Sequence, residues 1–124
     1  MKPESEKQVK IRVVFHLDAD EGKRLVMALN NIGNLLKEIP PAQASICLVA
    51  NGSAVKLFHR DYAADENVRV KELAGKGVHF LMCNNSLNNF NIDPRELVAG
   101  CTVTKAGVLE LIERQADGYA YIKP

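Results

Sequence analysis

The sequence predicts an α/β protein, a three-layer α/β/α sandwich around a mostly parallel five-stranded sheet. Short apolar stretches alternate along the chain with segments whose apolar residues recur every three or four positions, which is the order of strands and helices in α/β folds. The apolar stretches are nearly continuous, as in parallel strands buried on both faces. With 124 residues, 47% hydrophobic and 25% charged, the chain has the size and composition of one globular domain.

The first strand and the first helix have the clearest patterns. Residues 9–17 are rich in β-branched side chains and predict a central strand. A helix over residues 21–37 follows, and Asp18 or Asp20 is placed to cap it by accepting free N–H groups of its first turn. One face of that helix carries an apolar stripe, formed by Leu25, Ala28, Leu29, Ile32, Leu35 and Leu36.

The second strand is predicted over residues 44–50, which are short and apolar. It ends at Asn51 and Gly52, which we interpret as a turn into a helix capped by Ser53. A second long helix is predicted over residues 67–75. Its inward side chains would be Val70, Leu73 and Ala74.

The last third of the chain continues the alternation. Residues 93–96 combine a capping aspartate with a proline and predict a short helix start. A fourth strand over residues 101–104 is followed by a helix that Thr104 would cap and that ends near Gln115. We expect that helix to face the core with Val108, Leu109, Leu111 and Ile112. Residues 118–124 predict the fifth strand.

The third strand, residues 78–83, is the stretch that indicates a functional site. An apolar run ends at Cys83 and turns at once into the polar stretch 84–91, which we interpret as a loop. In open α/β sheets, ligands gather beyond the carboxyl ends of the strands, where Cys83 would lie. The alternative is that Cys83 is one more small apolar residue at the end of a core strand.

Composition and charge exclude several classes of function. The net charge of +1 argues against a nucleic-acid surface, and no apolar run is long enough for a membrane span. Cys47, Cys83 and Cys101 are odd in number, and the N-terminus lacks a signal-peptide core, so we expect free thiols in the cytoplasm. Residues 1–8 predict a flexible N-terminal tail, and residues 9–124 predict the domain. No phosphate-binding loop or zinc spacing occurs, so we expect no cofactor or metal.

Four stretches of the sequence carry a resemblance through their order and spacing. They are VVFHLDADEGKRLVMALNNIGNLL, LVANGSAV, GVHFLMCNNSL and GVLELIERQADGYAYIKP. Together they resemble the DsrE/DsrF-like family of small intracellular sulfur-handling proteins. The resemblance implies the same α/β fold, a homotrimer or homohexamer, and sulfur carried as a persulfide on the cysteine that Cys83 matches. Relay members have small and basic residues after that cysteine. Asn84, Asn85 and Ser86 follow it here, which resembles the stand-alone branch of the family.

Persulfide chemistry at Cys83 would need the thiolate, because only the thiolate attacks sulfane sulfur. Without a lysine or arginine close in sequence, we expect backbone N–H groups and amides to favour the anion. The resulting hypothesis is a carrier or sulfurtransferase, with a sulfur donor or acceptor protein as its partner, rather than a fast turnover enzyme. The predicted pocket is lined by His16, Asp18, Asn51, Gly52, Asn84, Asn85 and Ser86.

Each pocket residue also has a structural interpretation. A histidine placed like His16 is more often a hydrogen-bonded structural residue than a catalytic one, Asp18 is more typical of a helix cap, and Asn51 with Gly52 is a turn former first and a ligand contact second. Cys47 and Cys101 are most simply core residues. The alternative function is a non-catalytic homo-oligomeric module that binds a small polar or anionic ligand at the strand ends.

Overall fold

The structure is a computed structural model that describes residue 9 and residues 11–124; the predicted tail, residues 1–8, lies outside this part. The described chain contains the strands β1 (Ile11–Leu17), β2 (Ala44–Ala50), β3 (His79–Cys83), β4 (Cys101–Thr104) and β5 (Ala120–Ile122). Its α-helices are α1 (Gly22–Glu38), α2 (Ala64–Gly75), α3 (Asn84–Asn89) and α4 (Gly107–Ala116). Short 3-10 helices occur at Pro41–Gln43, Gly52–Phe58 and Pro94–Glu96.

The strands form one parallel sheet in the order β4-β3-β2-β1-β5. This confirms the predicted α/β/α sandwich. The prediction that the first strand is central is wrong, because β2 occupies that position and β1 lies between β2 and β5. The burial of the two strands fits this order. The last five residues of β2 are all buried, whereas β1 carries the exposed Arg12 and the half-buried His16.

The sheet order explains why α4 lies apart from the other helices. From β1 to β4 each strand is added on the same side of the previous one, so right-handed crossovers keep the connecting segments on one face. β5 lies beside β1 at the opposite edge, so the chain must reverse direction after β4. A right-handed crossover in the reverse direction places α4 on the other face, where it packs across β1, β2 and β3.

The larger part of the core lies on the face covered by α1, α2 and the 3-10 helix Gly52–Phe58. The predicted stripe of α1 is confirmed: four of its members are buried and Leu35 and Leu36 pack against them in part. Alternate residues of β1, β2 and β3 complete this layer, as the two-residue period of a strand requires. They are Val13, Phe15, Leu17, Ile46, Leu48, Ala50, Phe80 and Met82.

The layer under α4 is small, and here the predicted core helix is partly wrong. Leu111 is buried with side chains of β1, β2 and β3, but Val108, Leu109 and Ile112 are 60%, 46% and 57% exposed. The long helices α1 and α2 pack on the opposite face, so the apolar side chains that flank Leu111 have neither of them beside α4 to cover them and face outward. Thr104 does not cap α4 either, because its hydroxyl donates to Glu110 Oε1 at 3.0 Å.

The predicted caps of the first two helices are also replaced by longer-range contacts. α1 begins after Glu21 without a side-chain cap, and the Asp18 carboxylate instead accepts from Lys123 Nζ at 2.6 Å. Ser53 Oγ accepts the backbone N–H of Asp20 at 2.9 Å. Because parallel strands bring their carboxyl-end loops together, these side chains find partners across loops rather than within their own helix.

Two polar segments are more helical than predicted. The stretch after Cys83, expected as a loop, forms α3, because Leu87 packs into the main core and fixes the turn. α2 begins at Ala64 rather than at residue 67, and Asn67 is buried with its amide donating to the carbonyl of Arg60 at 2.5 Å. Within the described part of the chain, every helix is too short or too polar to cross a bilayer.

Candidate functional site

Cys83 lies at the carboxyl edge of the sheet. It is the last residue of β3 and pairs with Thr104 at the end of β4. On its other side β2 ends level with Met82, so Asn51 leaves the sheet next to Cys83. The two-residue period of the strand puts Cys83 on the same face as Leu81, the face that α4 covers. Only 5% of the residue is exposed, so the groups around the sulfur decide its chemistry.

The hydroxyl of Ser86 is aimed at this sulfur by a backbone contact. The N–H of Gly52 donates to Ser86 Oγ at 2.8 Å. That contact uses the hydroxyl oxygen as acceptor and leaves its proton unused, and the hydroxyl lowers the pKa of the nearby Cys83 thiol. The contact also joins the turn after β2 to the first turn of α3.

Backbone N–H groups supply the remaining donors. Cys83 immediately precedes α3 without capping it, and the free N–H groups of that first turn, at Asn85 and Ser86, are near enough to its sulfur to lower the pKa of the thiol. A further N–H comes from Gly107, the first residue of α4. The sulfur therefore lies where the starts of two helices meet, and N–H groups there favour a negative charge.

These donors set Cys83 apart from the other two cysteines. Burial acts to raise the pKa of Cys83, but the Ser86 hydroxyl and the N–H groups of Gly107, Ser86 and Asn85 outweigh it and lower that pKa below its ordinary value. Burial raises the pKa of Cys47 to about 11 and that of Cys101 to about 12. Cys83 is thus the cysteine whose surroundings favour the thiolate, the reactive form of the side chain.

His16 is held on both sides of its ring. Its Nε2 lies 2.8 Å from Asn51 Oδ1, and its Nδ1 lies 2.6 Å from the hydroxyl of Tyr121. Because the amide oxygen only accepts, Nε2 carries a proton, and in the neutral imidazole the Tyr121 hydroxyl donates to Nδ1. The arrangement fixes the ring and the Asn51 side chain, and Asn51 separates His16 from Cys83.

The other predicted pocket residues differ in their placement. Asp18 is 42% exposed and ion-paired with Lys123, whose hydrogen bond lowers the pKa of the carboxyl group. Gly52 has φ +60°, and a Cβ there would come within 2.8 Å of the Asp18 carbonyl oxygen, so only glycine fits. Asn84 is half-buried at the start of α3, and the exposed Asn85 contributes its backbone.

Two residues of this region were not predicted from the sequence. Gly107 reaches Cys83 because α4 starts directly after β4, the strand beside β3. Tyr121 reaches His16 because β5 pairs with β1. The order of the strands could have predicted the position of Gly107, because the loop after β4 must lie beside Cys83 once β4 is placed beside β3.

Across residue 9 and residues 11–124, no three histidine, cysteine, aspartate or glutamate side chains are grouped closely enough to hold a metal ion. The donors that meet at Cys83 are a hydroxyl and backbone N–H groups, which bind anions rather than cations.

The fold and the site together define a class of protein: a small parallel α/β sandwich with a cysteine at its strand ends whose surroundings favour the thiolate. Comparison with known proteins identifies the family within this class. Residues 10–124 match the DsrE/DsrF-like family, to which the chain belongs. That family is associated in general with sulfur relay. A search of the curated proteins found no match.

The solved structures that share this fold include the following three. A protein of unknown function from Methanobacterium thermoautotrophicum, MTH1491, is 35% identical with a TM-score of 0.84, over 93% of this chain and 100% of that one. The ychN protein from E. coli has a TM-score of 0.77 at 15% identity, over 92% and 99% of the two chains. BT1422 from Bacteroides thetaiotaomicron, a conserved protein of unknown function, has a TM-score of 0.61 at 17% identity over the full length of both chains. The last two likenesses concern the fold alone.

Proposed function

We propose that this protein carries sulfane sulfur as a persulfide on Cys83. The observation that supports this most is the set of hydrogen-bond donors around the sulfur, from the Ser86 hydroxyl and the N–H groups of Asn85, Ser86 and Gly107. A cysteine that burial alone acts on would have its pKa raised, as the pKa values of the fully buried Cys47 and the partly buried Cys101 are. Cys83 is as well covered as a core residue but is surrounded by groups that stabilise negative charge.

The transfer step needs no external oxidant. The Cys83 thiolate attacks the outer sulfur of a donor persulfide, R–S–SH, and a new S–S bond forms at Cys83. The S–S bond of the donor breaks, and the donor leaves as the thiolate R–S⁻ with the electron pair of that bond. The outer sulfur keeps its hydrogen. Delivery to an acceptor thiolate is the same exchange in the opposite direction, as a carrier requires.

The experiment that tests the proposal is the intact mass of the protein after incubation with a persulfide donor. The wild type should gain one sulfur atom, and a reducing agent should remove it. Cys83→Ser, a near-isosteric change, should abolish the gain. Cys101→Ala is the matched control, because it removes a thiol that burial keeps protonated, and it should load like the wild type.

Loading that persists in Cys83→Ser, or no loading in the wild type, would contradict the proposal. Either result would favour the alternative, a non-catalytic module that binds a small polar or anionic ligand at the strand ends. In that case the donors around Cys83 would serve to bind the ligand, and Cys83→Ser should leave binding intact.

A homo-oligomeric state, a homotrimer or homohexamer, is part of the same proposal. The outward apolar side chains of α4, Val108, Leu109 and Ile112, are what a subunit interface of this chain would bury. We also place the protein in the cytoplasm, where thiols stay reduced, with a sulfur donor or acceptor protein as its transient partner.

A further inference from the structure

The first residue of α4, Gly107, is packed against the side chains that form the site. A Cβ atom built on Gly107 would lie 2.9 Å from the Cβ of Asn51, 3.3 Å from the Cβ of Cys83 and 3.4 Å from Cγ1 of Val49. The glycine backbone therefore fills the space between the ends of β2 and β3.

The contacted atoms cannot move aside. Two of them are Cβ atoms, whose positions follow from the backbone of Asn51 and Cys83, and the third belongs to a β-branched side chain with a stiff χ1 angle. The backbone of Gly107 is not in the left-handed region, unlike that of Gly52 or Gly77. Its conformation does not call for glycine, so the reason for glycine at this position is the close approach.

We propose that Gly107 is a positioning residue for Cys83: by lacking a side chain, it lets the first turn of α4 lie against the cysteine and donate its N–H to the sulfur. A larger residue would push the start of α4 away from the sheet by a few tenths of an ångström or more. The sulfur would lose this donor together with the nearby positive end of α4.

Side-chain contacts hold α4 on the sheet behind this point. Thr104, which pairs with Cys83 in the sheet, donates to Glu110, and Glu110 accepts from Arg114 Nε at 2.7 Å. Arg114 also donates to the Tyr119 hydroxyl at 3.0 Å, and that hydroxyl is hydrogen-bonded to Ser45 of β2. These contacts fix the helix along the sheet, so its first turn cannot drift from Cys83 in the wild type.

The first test uses the wild-type protein and needs no sulfur donor. In ¹H–¹⁵N spectra recorded over a pH series, the amide signal of Gly107 should shift with the same midpoint as the ionisation of Cys83, because its N–H is bonded to the sulfur. The amide of Gly33, in the middle of α1, should not follow that midpoint. The Gly107 shift should vanish in Cys83→Ser. A Gly107 amide that does not titrate, or that still titrates in Cys83→Ser, would overturn the proposal.

The second test compares two glycine substitutions in helices. Gly107→Ala should raise the pH midpoint for alkylation of Cys83 and slow alkylation at pH 7 by about fivefold, because the loss of one hydrogen bond to the thiolate lowers its population and the higher nucleophilicity of the remaining thiolate offsets part of that loss. Gly33→Ala is the matched control, because a Cβ there would meet nothing within 4 Å beyond the nearby backbone of its own helix and its chain neighbours, and it should alkylate like the wild type. If Gly107→Ala folds and keeps the wild-type alkylation profile, Gly107 is a packing residue only.

The role of Gly107 deepens the proposed function. It rests on that proposal only in one respect, namely that the Cys83 thiolate serves to carry sulfur. Both tests measure ionisation of Cys83 rather than sulfur loading. Failure of the amide titration would therefore remove the role of Gly107 and leave the persulfide proposal standing. If sulfur loading fails while the Gly107 amide titrates as expected, the persulfide proposal falls and the role of Gly107 stands.

Discussion

At the scale of single residues, the three cysteines differ in what surrounds each sulfur. Hydrogen-bond donors lower the pKa of Cys83, while burial raises that of Cys47 to about 11 and that of Cys101 to about 12. The thiolate fraction at a given pH increases as the pKa falls, so Cys83 should react at a lower pH than an ordinary cysteine. The other two should stay protonated at pH 7.

The first prediction concerns selective alkylation. Brief treatment of the native protein with iodoacetamide at pH 7 should modify Cys83 and leave Cys47 and Cys101 free, as measured by peptide mass mapping. The rate should rise with pH through a midpoint below the usual value for cysteine and then level off. Equal modification of all three thiols, or a midpoint above the usual value, would contradict the assignment of Cys83 as the thiolate site.

The second prediction concerns Ser86. Ser86→Ala removes the hydroxyl that donates to Cys83, so the pKa of Cys83 should rise and alkylation at pH 7 should slow by about fivefold. The variant should also lose about 1–2 kcal/mol of unfolding free energy, because the N–H of Gly52 loses its acceptor. Ser53→Ala is the control: it removes a hydroxyl bonded to Asp20 in the neighbouring loop, and it should leave alkylation unchanged.

At the scale of secondary-structure elements, α4 is the element whose role the sequence describes least well. Its pattern of Val108, Leu109, Leu111 and Ile112 predicts a helix with a broad buried face, yet only Leu111 is buried. Periodicity identifies apolar positions but does not tell whether they are covered by the same chain or by another. The predicted caps at Asp18, Ser53 and Thr104 are wrong for a related reason, because contacts between loops replace the local hydrogen bonds.

The third prediction concerns the outward face of α4. If it is the subunit interface, Ile112→Glu should bury a charge between copies and shift the molar mass measured by light scattering from the oligomer to the monomer. Val68→Glu, at a position that is 52% exposed on α2, is the matched control and should leave the oligomer intact. A wild type that is already monomeric, or equal effects of both variants, would rule out this interface.

At the scale of the whole molecule, contacts from β5 and the residue after it to β1 and the loop after β1 join segments that lie far apart in sequence. Tyr121 hydrogen-bonds to His16, and Lys123 pairs with Asp18 at 2.6 Å. The Asp18–Lys123 pair is half exposed, so solvent screening limits its contribution to stability. The pair holds the end of the chain beside the site, but it does not belong to the hydrogen-bond donors around Cys83.

The fourth prediction tests whether Asp18 has a structural role, through its pair with Lys123, or a role in the pocket of Cys83. Because Lys123 lowers the carboxyl pKa, the pair contributes stability above the unfolded-state pKa of about 3.9 and loses it as the pH falls below that value. Asp18→Asn should therefore cost at most about 0.5 kcal/mol at pH 7 in chemical denaturation. It should cost nothing at pH 2. Alkylation of Cys83 should stay within about twofold of the wild type; a larger change would place Asp18 in the working pocket.

The fold could be predicted because its determinants are local. The continuous apolar runs of β2 and β3 and the stripe of α1 each indicate their structure without knowledge of the rest. The site could be predicted only where it follows a strand directly, as at Cys83 and Asn51. Gly107 and Tyr121 come from the far end of the chain, and the order of strands in the sheet, which no local pattern records, decides their place.

The measurement that tests a carrier most directly is delivery of the sulfur, since a carrier must release what it binds. The protein is loaded with a persulfide donor, freed of that donor and mixed with glutathione, and both products are trapped by alkylation and weighed by mass spectrometry. We predict that the extra sulfur leaves Cys83 and appears as glutathione persulfide in equal amount. Sulfur that stays on the protein, or that leaves equally well from a loaded Cys83→Ser variant, would contradict a carrier function for Cys83.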